Sequence, residues 1–121
     1  MLKADICAYI SGKYSSDCLR GTENNIKKAE EVAILLAQKQ IKYFCPHTHS
    51  RLMDFYAPEA SWDYWMELDL HFIGCTCNCM IMLDNWQDSK GATLEYNHAK
   101  ELGLPIFFSF DDFMSWYNLL Q

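Results

Sequence analysis

The stretch Asp84-Asn-Trp-Gln-Asp-Ser-Lys-Gly-Ala-Thr-Leu-Glu-Tyr-Asn-His-Ala-Lys-Glu-Leu-Gly103 decides how the chain is read. It begins where the apolar run Cys79-Met-Ile-Met-Leu83 stops, crosses a polar turn and becomes a helix. Ser89 is suited to cap that helix, because its hydroxyl can accept from a free backbone N–H, and Gly103 followed by Pro105 is a stop signal. The spacing predicts a helix from about Lys90 to Leu102. Ala92, Ala99 and Leu102 recur at helical spacing and mark the packed face, and Glu95 falls in the same stripe. A carboxylate in an apolar stripe is costly unless a partner or a reaction uses it.

Working outward, a run–turn–helix unit of this kind recurs along the chain. The first strand is expected at Asp5–Ile10, a continuous apolar run suited to a parallel sheet covered on both faces. A polar loop follows from Ser11 to Asp17, and Thr22 is a candidate cap for a helix whose inner stripe is Ile26, Ala29, Ala33, Leu36 and Ala37. A second strand, Ile41–Cys45, is stopped by Pro46. His47 to Ala60 has no regular period and reads as a long loop, a kind of segment that is often functional. Ser61 caps a second helix with the stripe Trp62, Trp65, Met66, Asp69, Phe72 and Ile73, so a second acid stands among apolar neighbours. The third strand is placed at about Asn78–Leu83 and the fourth at Pro105–Phe108. A closing helix, capped by Asp111 or Asp112, turns Phe113, Trp116 and Leu120 inward.

This order predicts one α/β domain over residues 1–121: a Rossmann-like (flavodoxin-like) open parallel sheet of four to five strands with helices on both faces. Ligands of such sheets bind beyond the carboxyl ends of the strands, where strand order reverses. That rim carries Ser11 to Ser16, His47 to Ala60 and Asp84 to Ser89.

Composition sets the bounds. In 121 residues, 50 % hydrophobic and 15 % aromatic, there is enough apolar matter for one core and too little chain for two domains. A net charge of −6 argues against a nucleic-acid polymer as partner, since backbone binding needs concentrated Lys and Arg. There is no signal peptide and no apolar run of membrane-spanning length, which predicts a cytoplasmic protein without membrane attachment and with its six cysteines reduced.

Two carboxylates in different environments meet the minimum for displacing a group at a sugar C1 through an oxocarbenium-like transition state. Glu95 is the candidate nucleophile, Asp69 the candidate acid/base, and Tyr9 a phenol able to hold the nucleophile. Ser11, Gly12 and Lys13 form a turn able to cradle a hydroxyl or phosphate. His47, Asp84, Trp86, Ser89 and Gly91 complete the candidate binding set, Trp86 either as a stacking platform for a base or as a cover for the core edge. Cys75-Thr-Cys-Asn-Cys79 with His47-Thr-His49 invites a zinc reading, but C-x-C-x-C lacks the usual knuckle spacing and two of its cysteines fall in a strand; no metal site is assigned. No Walker loop or dinucleotide fingerprint is present.

These residues resemble the nucleoside 2-deoxyribosyltransferase-like superfamily, in particular its short phage and bacterial branch. The matching pieces are Tyr9-Ile-Ser-Gly12, Glu23-Asn-Asn-Ile26, Phe44-Cys-Pro-His47, Asp69 ahead of a strand, Asn85-Trp-Gln-Asp-Ser89, and Gly91-Ala-Thr-Leu-Glu95 leading to Ala99-x-x-Leu-Gly-x-Pro105. Together they run from the first strand to the fourth. The resemblance implies that Glu95 attacks C1 of a deoxyribose, that Asp69 handles the leaving group's proton and that Tyr9 orients the nucleophile. It also implies a deoxynucleoside or deoxynucleotide as small-molecule substrate, transfer of the sugar to another base or to water, no cofactor, and a homodimer or larger homo-oligomer. Many short-branch relatives carry proline after the first-loop glycine, where this chain has Lys13, a difference that either suits a 5′-phosphate or only changes the turn. Two rival classes are a nucleotide-binding or sensing module that turns nothing over, and an assembly protein using the surfaces of Trp62, Trp65 and Trp116.

Overall fold

In the computed structural model, which describes residues 1–121, β1 (Cys7–Ser11) is paired on both edges and carries the sheet. One neighbour is β2 (Lys42–Phe44), reached through α1 (Leu19–Gln38). Two short helices, α2 (Pro46–His49) and α3 (Met53–Tyr56), then lead to α4 (Trp62–Cys75) and to β3 (Cys79–Met82), the other neighbour of β1. After α5 (Lys90–Glu101) the chain adds β4 (Ile106–Phe107) beside β3 and ends in α6 (Phe110–Tyr117). All pairs are parallel and the order is β2-β1-β3-β4, the expected α/β open sheet with four strands. No helix is long and apolar enough to cross a membrane.

The period-two alternation of strand side chains divides the core in two. Ala8 and Ile10 of β1, with Cys79 and Ile81 of β3, face Ala29, Ala33 and Leu36 of α1 and Phe113 of α6. Tyr9, Met80 and Met82 face the other way, onto Ile73 of α4 and Ala99 of α5. Both faces are covered, which is why β1 reads as an unbroken apolar run rather than an alternating one. Ser11 lies two residues beyond Tyr9 and so shares the α4/α5 face. That parity places a hydroxyl where the next apolar residue would be.

Several local expectations are corrected. α1 begins ahead of Thr22: Cys18 is its cap, with Sγ accepting from Gly21 N at 3.4 Å, while Thr22 Oγ1 accepts from Ser16 N and ties the preceding loop to the first turn. Ala37, in the last turn of α1, and Leu102, just past the end of α5, prove exposed. The 47–60 segment is not irregular throughout, since Pro46 at the first helical position starts α2 and the left-handed Leu52 (φ 56°) resets the chain into α3. Ser109, not Asp111 or Asp112, caps α6, accepting from Asp112 N at 3.0 Å. Trp62 is exposed, and Trp65 and Asp69 are only half-buried, so the inner stripe of α4 opens along its first turns.

α4 ends where Gly74 takes a left-handed φ of 93°, a conformation that costs glycine little. Gly12 is required for a different reason. A Cβ there would stand 2.5 Å from Leu83 Cδ1 and 2.7 Å from Leu83 Cβ, at the point where the ends of β1 and β3 come together. Gly12→Ala is therefore expected to destabilise the protein by about 1–3 kcal/mol. The urea midpoint should fall with an unchanged slope; an unmoved midpoint would mean that Leu83 yields freely.

Candidate active site

α5 delivers Glu95 to the sheet. Its Ser89 cap accepts from Ala92 N at 3.1 Å, and Ala92, Glu95 and Ala99, three and four residues apart, are its buried positions. Glu95 is 5 % exposed and lies over the carboxyl end of β1. There the Tyr9 hydroxyl donates to Oε2 at 2.7 Å and the Ser11 hydroxyl donates to Oε1 at 2.7 Å. Tyr9 thus holds the position expected of it. Ser11, expected at the substrate, instead occupies the second carboxylate oxygen.

Asp69, from the middle of α4, lines the same cleft beside Glu95. Burial, and after it the Asp69 charge, push Glu95 well above the usual carboxylate range, against the pull of the two donated hydroxyls. Burial raises Asp69 as well, while its contact with Glu95 pulls it down. The phenol of Tyr9 is held far above its ordinary value by burial and by the neighbouring acids, so it remains a donor. Two adjoining raised carboxyls titrate as a unit and keep one proton at a pH where separate ones, near 4, keep none. Both Glu95 oxygens accept a hydroxyl hydrogen, which favours its ionised form, while burial favours its neutral one, so the one proton is shared between Glu95 and Asp69.

The pair opens into a cleft of about 510 Å³ beyond the carboxyl ends of β1 and β3, where the strand order reverses. Gly12 and Lys13 form one wall, with Pro46 and His47 of α2; Trp65 and Met66 of α4 form another; Ser89, Lys90 and Gly91 bring the N-terminus of α5 to a third. The Lys90 ammonium sits 4.7 Å from the centre of the Trp62 ring at the mouth. Asp54 and Lys13 add one charge of each sign.

The first loop is held by amides that the sequence reading did not single out as functional. Asn85 Oδ1 accepts from Lys13 N at 3.2 Å, its Nδ2 donates to Asn25 Oδ1, and Asn25 Nδ2 donates to the Tyr14 carbonyl at 3.0 Å. The Tyr14 hydroxyl in turn accepts from Leu52 N at 2.8 Å and pins the 47–60 segment over the cleft. His47 is 3 % exposed, and Nε2 donates to the Lys13 carbonyl at 3.0 Å. Burial lowers its pKa, so the ring is neutral at neutral pH and Nδ1, buried without a partner, carries a lone pair.

The structure does not bring Asp84 and Trp86 to the cleft. Asp84 points to solvent on the α1 side and pairs at 3.4 Å with a half-exposed Lys28, a surface pair worth little. Trp86 stacks on Tyr96 at 4.6 Å and leans on Phe108 at 6.2 Å, covering the α5 core edge rather than offering a platform. Both follow the last residue of β3, where the chain turns outward before α5 begins. Trp65 and Met66, read from the α4 stripe as core-facing and Trp65 also as an assembly surface, line the cleft instead.

A family model described as Domain of unknown function (DUF4406) matches residues 6–108, the span from β1 to β4 that builds the whole cleft. No curated protein matches the chain.

Proposed function

Because this chain belongs to the DUF4406 family, whose matched residues include the entire acid pair, we propose a function from that pair: cleavage of the N-glycosidic bond of a 2′-deoxynucleoside or deoxynucleotide, with the sugar passed to another base or to water. The observation that carries the reading is a buried carboxylate with a hydroxyl on each oxygen and a second acid beside it, opening into a cleft of nucleoside size. The resemblance of the Tyr9, Asp69 and Gly91–Glu95 pieces to nucleoside 2-deoxyribosyltransferases points the same way.

In this reading Glu95 attacks C1′ while Asp69 gives its proton to the departing base, and a glycosyl ester forms on Glu95. Asp69 then takes a proton from the incoming water or acceptor base as the ester bond breaks. Tyr9 and Ser11 hold the attacking oxygens in place. Their hydrogen bonds also favour the ionised form of Glu95, in which the shared proton lies on Asp69.

The test is incubation with the four deoxynucleosides and their 5′-monophosphates, with and without a second free base, followed by chromatography. Release of free base, or its exchange, is the expected result; millimolar substrate left intact in every arm would end the proposal. One observation favours a rival. The upward push on Glu95 favours its neutral form, a poor nucleophile but a good hydrogen-bond partner, as in a nucleotide-binding module. That rival predicts a tight calorimetric complex in which the nucleotide stays whole.

A further inference from the structure

At the amino end of the sheet, opposite the cleft, Cys7 Sγ lies 3.7 Å from Cys77 Sγ. Backbone contacts keep the two together. Cys7 N donates to Asn78 Oδ1 at 3.0 Å and the Cys7 carbonyl accepts from Asn78 N at 3.0 Å, which clamps the residue after Cys77 to β1. Cys77 N donates to the Phe72 carbonyl and the Cys77 carbonyl accepts from Gly74 N, both at 2.9 Å, so Cys77 is fixed to the end of α4. Cys7 is half-buried, Cys77 fully buried, and the residue opposite Cys7 on β2 is Lys42.

We propose that Cys7 and Cys77 form a dithiol that reacts with a hydroperoxide and closes to a disulfide, a modification site separate from the acid pair and independent of the reading given for it. The chemistry assigns unequal roles. The Cys7 contact and burial keep the Cys77 thiol protonated; its S–H, helped by the Lys42 charge, lowers the Cys7 thiol against the opposing effect of burial. Cys7 is the more open of the two and is the attacking sulfur.

Its thiolate attacks one peroxide oxygen, the O–O bond breaks, and the other oxygen leaves with a proton as water or an alcohol, giving a sulfenic acid on Cys7. The Cys77 sulfur then attacks the Cys7 sulfur, the S–O bond breaks, and the Cys77 proton leaves with that oxygen as water. The two thiols supply both electrons that the peroxide takes up. Closure has to bring the two sulfurs from 3.7 Å to a bond of about 2.05 Å. The ring closed in this way spans 70 residues, a length at which a cross-link restrains the unfolded chain strongly.

The test uses the full chain with the exposed Cys18 and Cys75 changed to serine, which leaves four of the six thiols. After reduction and removal of the reductant, hydrogen peroxide is expected to consume two of the four, to join the Cys7 and Cys77 peptides, and to raise the melting temperature by roughly 4 °C or more, reversibly with dithiothreitol. In Cys77→Ala or Cys77→Ser, Cys7 is expected to stop at the sulfenic acid and to be captured by dimedone. Four titratable thiols after millimolar peroxide, or a disulfide that maps to Cys79 instead, would overturn the proposal.

Discussion

Glu95→Gln is expected to abolish release of base from a deoxynucleoside, by roughly 10⁴-fold or more, the scale on which loss of a covalent nucleophile acts. The same change is expected to raise the melting temperature. The sign follows from the direction of the Glu95 shift. An acid that titrates higher in the folded protein than its unfolded value of about 4.3 adds stability that is fully present below that value and lost as pH rises through the raised one. Glutamine keeps the shape and has no charge to bury, so the gain over wild type should grow from pH 5 to pH 9. At the upper end it should reach several degrees, because one pKa unit is worth about 1.4 kcal/mol. Activity surviving in Glu95→Gln would remove the nucleophile assignment. A melting curve parallel to wild type at every pH would show that the carboxylate is not held at a cost.

Asp69→Asn is the second large effect, and here the profile matters more than the rate. Loss of a positioned acid lowers the rate by about 10²–10⁴-fold. For wild type, activity requires one proton on the pair. It should therefore fall at low pH as Glu95 takes up a second proton and fall at high pH as Asp69 gives up the shared one. Both limbs should lie above the ordinary carboxylate range, because burial raises each group. Asp69→Asn has no shared proton to lose, so its alkaline limb should vanish while the acid limb remains. The defect should also shrink for a deoxyribosyl donor whose leaving group departs without protonation. An unchanged bell in Asp69→Asn would assign the proton to another group.

Much of this arrangement was legible before any coordinates. The caps Ser61 and Ser89 accept from Tyr64 N and Ala92 N as expected of helix starts, because a capping hydroxyl answers to backbone groups three residues away. The unbroken run around Tyr9 marked a strand covered on both faces. The odd acid in the α5 stripe marked Glu95, since an ionised group among apolar ones is rare unless it has partners. What failed depended on neighbours distant in sequence. Thr22 has the chemistry of a cap, but Ser16 N, brought round by the preceding loop, takes its hydroxyl. Trp86 has the chemistry of a stacking platform, but Tyr96 reaches it first.

The sequence by itself determined the alternation of strand and helix, the helix limits near their caps, and the presence of two acids in apolar stripes. These follow from period and capping, which act over one turn of chain. Only the tertiary structure decided that Ser11 serves Glu95, that Trp65 and Met66 open into the cleft while Asp84 and Trp86 do not, and that Cys7 meets Cys77. Each of those pairings joins residues on different elements, so its distance is set by how helices seat on the sheet, a quantity no local pattern encodes.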